Sequence, residues 1–293
     1  MPASDEHAKI LRKAFDEYLM HLYEKPITPK EMLLSYDFDF INGRKWNTLA
    51  DAMVRCDLRE LTNIINRWNR LLGSWHAWNM VLDGREEMEA WDLRSEFLGS
   101  LVHECLLMPA SIRDTITSVA TAAFHQVRLS IDNSYRDHLE GDPKSPQEKQ
   151  KLLNRRQKED RLHRLIKFWP NSESFIKALR KINSQDYIEK TYNYRNLTTH
   201  SIGPRLGIGH TRTVKRSIEN AQAPRELEDG TIVFEDIPGK LAVCYSFGGT
   251  PPLDIERVRL VNIEQYKLAY KCYTEYLALL TATVNGIESV EKS

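Results

Sequence analysis

Apolar residues recur every three or four positions along most of the chain, a spacing that is typical of amphipathic helices. The first such segment covers residues 5–24. Two longer stripes run from Leu58 to Trp75 and from Ile263 to Val284. Stripes of this kind pack against neighbouring helices of one bundle, or they form the seam between two copies in a dimer. Spacing alone leaves both arrangements open.

The same spacing predicts further helices over residues 85–107, 111–139, 146–168, 172–182, 184–201 and 263–285. Two predicted helix starts have the same pattern, at Thr28–Glu31 and Ser145–Glu148. Each begins with a hydroxyl residue followed by a proline and ends with a glutamate. The hydroxyl group can cap the helix, the proline suits its first turn, and the carboxylate can bond back to the backbone.

The pattern changes after His200. Residues 201–209 contain three glycines and a proline. Two apolar runs then flank Pro238-Gly239, at residues 231–234 and 241–245, which predicts a β-hairpin over 231–247. The predicted fold class is therefore mainly α: a helical bundle forming a single domain over 1–293, with a loop and β-hairpin insertion at 202–262 before the last helix.

Charge and cysteine content narrow the class of protein. Lysine plus arginine and aspartate plus glutamate both number 41, so no whole-protein basic field attracts nucleic acid, and any such contact needs a local patch. The four cysteines are widely spaced and form no C-x-x-C pair, which favours reduced thiols. No secretory signal pattern opens the chain, and apolar runs such as Tyr276–Ile287 are too short to span a membrane. We therefore expect a cytoplasmic protein without a membrane partner.

Several catalytic motifs are missing from the sequence. There is no phosphate-binding G-x-x-x-x-G-K-[ST] loop, no H-E-x-x-H and no G-x-S-x-G. The nine histidines and four cysteines show no metal-ligand spacing. We therefore predict no metal site and no cofactor.

The strongest chemical signal is the segment Arg195-Asn196-Leu197-Thr198-Thr199-His200. An arginine can hold a phosphate and stabilise the charge that builds during phosphodiester cleavage. A histidine can move a proton near neutral pH. On a continuous helix these two residues lie about 140° apart around the axis, so sharing one pocket requires the helix to loosen at Thr198-Thr199.

This segment resembles the signature of the HEPN superfamily, an arginine followed by four to six residues and a histidine, with a polar residue after the arginine. Three other pairs also fit the bare spacing: Arg70–His76, Arg156–His163 and Arg205–His210. Only Arg195 is followed by asparagine. Some members carry H-x-Y as the site of modification by a partner enzyme. Here Ser201-Ile202 follows His200, which puts that mode of neutralisation in doubt.

The resemblance implies a helical bundle that cleaves RNA without a metal. HEPN proteins typically form homodimers in which two motifs face each other as one composite site. For this chain it implies catalytic roles for Arg195 and His200, with Asn196 as the supporting polar residue. It also implies RNA as substrate, a toxin or phage-defence (antiviral) role, and regulation by an antitoxin or another protein.

Two basic segments could contact the substrate. The helix predicted at 146–168 carries many lysines and arginines, which are usually a solvated face. The second segment directly follows the motif, and we predict that it forms a mobile loop that binds the RNA backbone. Its basic residues are Arg205, His210, Arg212, Lys215 and Arg216.

The sequence thus favours an endoribonuclease that cleaves RNA by attack of the 2′-hydroxyl group. Two alternatives stay open. One is a non-catalytic helical module that binds RNA, a nucleotide or a protein. The other is a structural interaction protein that uses the stripe at 263–284.

Overall fold

The computed structural model describes residues 5–24 and 32–290, and among them the chain is mainly helical, with a two-stranded antiparallel sheet before the last helix. The helices are α1 (Asp5–Glu24), α2 (Ala50–Leu82), α3 (Glu87–Leu93), α4 (Gly99–Ile131), α5 (Arg155–Ile166), α6 (Ser172–Lys181), α7 (Gln185–Lys190), α8 (Tyr194–His200) and α9 (Ile255–Val284). The strands are β1 (Val214–Glu226) and β2 (Ile232–Phe247).

The chain divides into two compact units. Unit 1 comprises residues 1–190 and 256–293, and unit 2 comprises residues 191–255. Unit 2 begins before the insertion predicted at 202–262, so it also contains the Arg195–His200 segment. The single domain over 1–293 stays a prediction.

The two apolar stripes form the core of unit 1. Trp68 and Trp75 on α2 and Tyr266 and Tyr273 on α9 are at most 2% exposed. Buried polar groups join the same helices: the Trp68 indole donates to Asn262 Oδ1 at 2.9 Å, and the Thr62 hydroxyl lies 2.8 Å from that of Tyr273. The stripes therefore pack within the bundle, which leaves little of either for a dimer seam.

The break predicted between the helices at 85–107 and 111–139 is wrong. The structure has a nearly continuous rod in which α3 leads through a π-helical turn, Arg94–Leu98, into α4. Pro109 lies inside α4 without ending it. Buried residues on both sides of the proline, including Val102 and Ile116, hold the rod in the core, and this packing outweighs the local cost of proline.

Two of the predicted helix starts also differ. α5 begins at Arg155, because Asn154 and Gln157 form a capping box there, with both hydrogen bonds at 3.0 Å. Ser145–Glu148 forms a turn instead, in which Glu148 N donates to Ser145 O. α9 begins at Ile255 rather than at 263, since Ile255 and Val258 extend its buried face. The start predicted at Thr28–Glu31 lies outside the described residues.

The β-hairpin exists, but its turn is elsewhere. Both runs predicted as separate strands, 231–234 and 241–245, lie on β2, and their partner is β1. Pro238-Gly239 falls where the register shifts, not at the turn. The turn is at residues 227–231: Asp229 Oδ1 accepts a hydrogen bond from Thr231 N, and Gly230 adopts a φ of 80° that suits glycine.

Candidate functional site

The motif lies on α8, a short helix that opens unit 2. The helix predicted over 184–201 is interrupted, because Tyr192 and Asn193 adopt left-handed backbone conformations, with φ of 49° and 54°. Two such residues in a row cannot continue a right-handed helix. α8 therefore starts afresh at Tyr194, whose backbone N–H donates to Thr191 O at 2.9 Å.

α8 stays helical through His200. The Thr198 hydroxyl donates to Tyr194 O, and the Thr199 hydroxyl donates to Arg195 O at 2.7 Å. Ser201 N then donates to Leu197 O at 2.8 Å, which completes the last turn. The loosening expected at Thr198-Thr199 is therefore absent, and the arginine and histidine cannot meet by that route.

Asn196 provides another route. The Arg195 guanidinium donates to Asn196 Oδ1 at 2.9 Å, and the Asn196 amide donates to Asn193 Oδ1 at 2.8 Å. Residues 196 and 200 are four apart on a continuous helix, so their side chains share a face with Cβ atoms about 5–6 Å apart. The asparagine thus bends the guanidinium from its own side of α8 toward the face of the imidazole.

A second arginine reaches the same end of α8. Arg212 donates from its guanidinium to the Ser201 hydroxyl, directly beside His200 in the chain. Neither Ser201 nor Asn193 was expected to contact the motif. Asn193 is the N-cap residue of α8, but its side chain makes no capping hydrogen bond and accepts from Asn196 instead, so capping preference could not have revealed this contact. Ser201 acquires its role only through the return of the chain to residue 212.

The segment that follows α8 packs closely against this helix at Gly203. A Cβ atom at Gly203 would lie 2.8 Å from Thr198 Cγ2, closer than two carbon atoms approach without displacement. Glycine is therefore required at this crossing. The close approach starts the segment that ends with Arg212 beside the motif.

The remaining predicted substrate contacts do not gather around His200. Arg205 accepts a hydrogen bond from Leu253 N at its carbonyl oxygen, and Thr211 exchanges two backbone hydrogen bonds with Thr250. His210 packs against Gly249. Within residues 191–255, all of which the structure describes, no hydrogen bond joins the side chain of Arg205 or His210 to α8. The segment predicted as a mobile loop is tied to residues 248–253 on its other side.

Lys215 and Arg216 were also predicted in that loop, but both lie on β1. Lys215 pairs with Ser246 and Arg216 with Tyr245. Successive residues of a strand point to opposite faces, so these two side chains diverge. Of the five predicted substrate residues, the structure brings Arg212 to the motif and distributes the others elsewhere in unit 2.

Several arginines of the basic face around α5 are held by neighbouring groups. Arg155 pairs with Asp114 at 2.8 Å, and Arg164 pairs with Glu140. Arg161 donates to the carbonyl oxygen of Glu140 at 2.8 Å. Paired guanidiniums attract a phosphate weakly, which supports the interpretation of this segment as a solvated structural face.

One residue of α8, Tyr194, has a pKa that burial shifts from its ordinary value. Tyr194 is buried, and burial raises the pKa of its phenol to about 12. A phenol with that pKa stays protonated at neutral pH, so Tyr194 supports the helix rather than acting as a base. The imidazole of His200 and the amide of Asn196 are exposed to solvent.

The described parts of the chain contain neither a metal-ligand cluster nor a membrane-spanning helix. Among residues 5–24 and 32–290, no three His, Cys, Asp or Glu side chains cluster as a metal site would require. In the same ranges, no helix combines the length and the apolar character needed to cross a membrane. No family model, no curated protein and no solved structure matches this chain.

Proposed function

We propose that this protein is a metal-independent endoribonuclease of the HEPN type, with His200 and Arg195 at its reacting centre. The hydrogen bond from Arg195 to Asn196 carries the proposal, because it turns the guanidinium toward the helix face that bears the imidazole. Arg212 adds a second guanidinium through Ser201. An exposed imidazole on a short helix whose neighbouring residues, Asn196 and Ser201, each bind a guanidinium suits an anionic phosphodiester.

RNA supplies the nucleophile for the reaction. His200 accepts the proton of the ribose 2′-hydroxyl, and the resulting oxygen attacks the adjacent phosphorus. The bond to the 5′-oxygen breaks, and the protonated His200 gives its proton to that leaving oxygen. Arg195 and Arg212 neutralise the charge that accumulates on the phosphate oxygens. The products are a 2′,3′-cyclic phosphate and a 5′-hydroxyl end.

The biological part of the proposal rests on family analogy alone. It comprises a cytoplasmic homodimer that acts on RNA as a toxin or a phage-defence effector, under control of an antitoxin or another regulatory protein. A non-catalytic RNA-binding module is the competing function. Such a module would use the same two arginines but would not need the imidazole.

Cleavage of total tRNA in EDTA separates these functions. The wild type is compared with His200→Ala and with Arg195→Lys, which keeps the charge but loses the planar fork of donors. We expect 2′,3′-cyclic phosphate ends from the wild type. The His200→Ala rate should be lower by about 10²–10⁴, the usual contribution of a general acid or base. The cleavage rate of Arg195→Lys should be about 10²–10³-fold below that of the wild type.

His138→Ala is the matched control, because His138 is exposed and lies in the turn after α4, outside unit 2. It should cleave at the wild-type rate. Equal cleavage by His200→Ala and wild type would show that the motif is not the site. RNA binding without any cleavage, retained in His200→Ala and lost in Arg195→Lys, would favour the binding module.

A further inference from the structure

The hairpin of β1 and β2, here called the ribbon, has one apolar and one mostly polar face, and the apolar face is the more exposed. Paired residues of an antiparallel ladder share a face, so the register assigns every side chain to one of two faces. One face, here called the apolar face, carries eight large apolar side chains: Val214, Ile218, Ile232, Phe234, Leu241, Val243, Tyr245 and Phe247. The opposite face is mostly small or polar, with Ser217, Ala242 and Cys244 among its residues.

The apolar face is the more exposed of the two. Each of its eight large side chains is between 50% and 95% exposed, and Phe247 is the most exposed of them. A contiguous apolar surface of this kind marks an interaction site. A two-stranded hairpin is also marginally stable in water unless its apolar face is covered. The ribbon therefore needs something to pack on that face.

The charges on this face identify the partner. Among its ladder-paired residues, Arg216 lies near the open end of the ribbon, whereas Asp236 and Glu226 lie near the turn. Asn220 and Gln222 each donate to the Asp236 carboxylate at 2.9 Å, and these hydrogen bonds lower the pKa of Asp236, which keeps it ionised. The face is thus basic at one end and acidic at the other.

We propose that the apolar face binds the same face of a second copy of this chain, with the two ribbons antiparallel and related by a twofold axis. The axis passes near the pair formed by Asn220 and Leu241, the fourth of seven ladder pairs on this face. Each Arg216 then lies between Asp236 and Glu226 of the other copy. Parallel ribbons would place Arg216 against Arg216, which is unfavourable.

The dimensions are adequate for a dimer. Thirteen residues of β1 extend about 40 Å, and two strands with their side chains are roughly 12 Å wide, so each copy covers roughly 500 Å². The total of roughly 1,000 Å² reaches the lower bound for a specific interface. Its centre combines Leu241 and Val243 with the polar cluster of Asn220, Gln222 and Asp236, and apolar pairs lie on both sides of that cluster.

The arrangement has a consequence for the site. Arg212, two residues before β1, contacts Ser201, so His200 lies at the open end of the ribbon. Antiparallel ribbons place the two open ends about 40 Å apart. Each copy then carries its own Arg195–His200 site, which departs from the composite site that the HEPN resemblance implies. Self-association through the ribbon does not depend on the proposed nuclease function.

Charge reversal with rescue tests the proposal on the full chain without RNA. Arg216→Glu introduces four like-charge contacts into a homodimer, because each copy then faces both Asp236 and Glu226 of the other, and Glu226→Arg introduces two. We therefore expect each variant to self-associate at least tenfold more weakly by sedimentation equilibrium. Mixing the two variants restores opposite charges at three of the four contacts and leaves a single like-charge contact at one Asp236. Their heterodimer should form at least severalfold more tightly than either homodimer. Native mass spectrometry distinguishes it from either homodimer.

Lys215→Glu is the control, because it makes the same charge change on the opposite face of β1. It should self-associate as the wild type does. Far-ultraviolet circular dichroism confirms that each variant is folded. The proposal is overturned if the wild type stays monomeric throughout a 100-fold range of protein concentration that reaches its solubility limit. It is also overturned if the mixture fails to form the heterodimer. An Arg216→Glu dimer as tight as the wild type would overturn it as well; if that variant also binds RNA less well, the ribbon is an RNA surface.

Discussion

Asn196 is the residue on which the candidate site depends most. Arginine and histidine five positions apart on an unbroken helix point about 140° away from each other. The asparagine corrects this because it is anchored to Asn193 at 2.8 Å and accepts from Arg195 at 2.9 Å. A single amide group therefore sets the direction of a guanidinium. In the proposed nuclease Asn196 is a positioning residue, since it would act on the phosphate only through Arg195.

A double-mutant cycle measures this coupling. Asn196→Ala should lower the RNA cleavage rate about tenfold, because the guanidinium loses the group that turns it toward His200. In an Arg195→Ala background the same substitution should have little further effect. Initial cleavage rates of the four proteins give the coupling free energy. Additive losses would show that Asn196 acts independently of Arg195.

At the scale of the element, local capping decides where helices begin. The chain offers two starts for α5, and the structure uses Asn154, whose side chain accepts from Gln157 N while Gln157 Oε1 accepts from Asn154 N. The start also places Glu159 inside unit 1, where Arg113 binds it with two hydrogen bonds of 2.7 and 3.0 Å. Ser145-Pro146 resembles a cap equally well in sequence but is used as a turn.

Loss of the Asn154 cap should reduce stability. Asn154→Ala leaves the backbone N–H of Gln157 without its acceptor, and we expect the free energy of unfolding to fall by about 1 kcal/mol. Asn133→Ala, at an exposed position in the turn after α4, should change it by less than about 0.5 kcal/mol. Urea unfolding followed by circular dichroism measures both. Equal stability of Asn154→Ala and wild type would mean that the capping box contributes nothing to α5.

On the scale of the whole molecule, buried tyrosines make the fold sensitive to alkali. Tyr266 is fully buried and donates to Met32 O at 2.6 Å, and burial raises its pKa to about 12 from an ordinary value of 10.0. Burial also raises the pKa of Tyr187, Tyr273 and Tyr276. Below pH 10 these phenols are neutral in both the folded and the unfolded chain. Above pH 10 the unfolded chain loses protons that the folded chain keeps.

The free energy of unfolding should therefore fall as the pH rises from 10 to 12. Tyr266 alone accounts for roughly 2–3 kcal/mol across this window. Phenolate absorbance and circular dichroism, recorded together against pH, should change in one cooperative transition. Tyr266→Phe should weaken the pH dependence, because the ring stays while the titrating hydroxyl is removed. Titration of the buried tyrosines with unchanged circular dichroism would contradict the prediction.

Hydrophobic spacing determined much of this fold without any tertiary information. The mainly helical class, the helix over residues 5–24 and the buried stripes of α2 and α9 all follow from it, because the 3.6-residue period is a property of the local chain. The same reasoning located a hairpin before the last helix. Resemblance to the HEPN signature, rather than spacing, selected Arg195, Asn196 and His200, and their catalytic roles stay predictions.

Only the tertiary structure decided the partner of each strand and the surroundings of His200. The start of β1, with Lys215 and Arg216, was predicted as part of a basic loop, and these residues become strand only by pairing with β2. Arg212 joins the motif only because the chain crosses α8 at Gly203 and returns. Both outcomes depend on contacts between residues distant in sequence, and local spacing carries no information about such contacts.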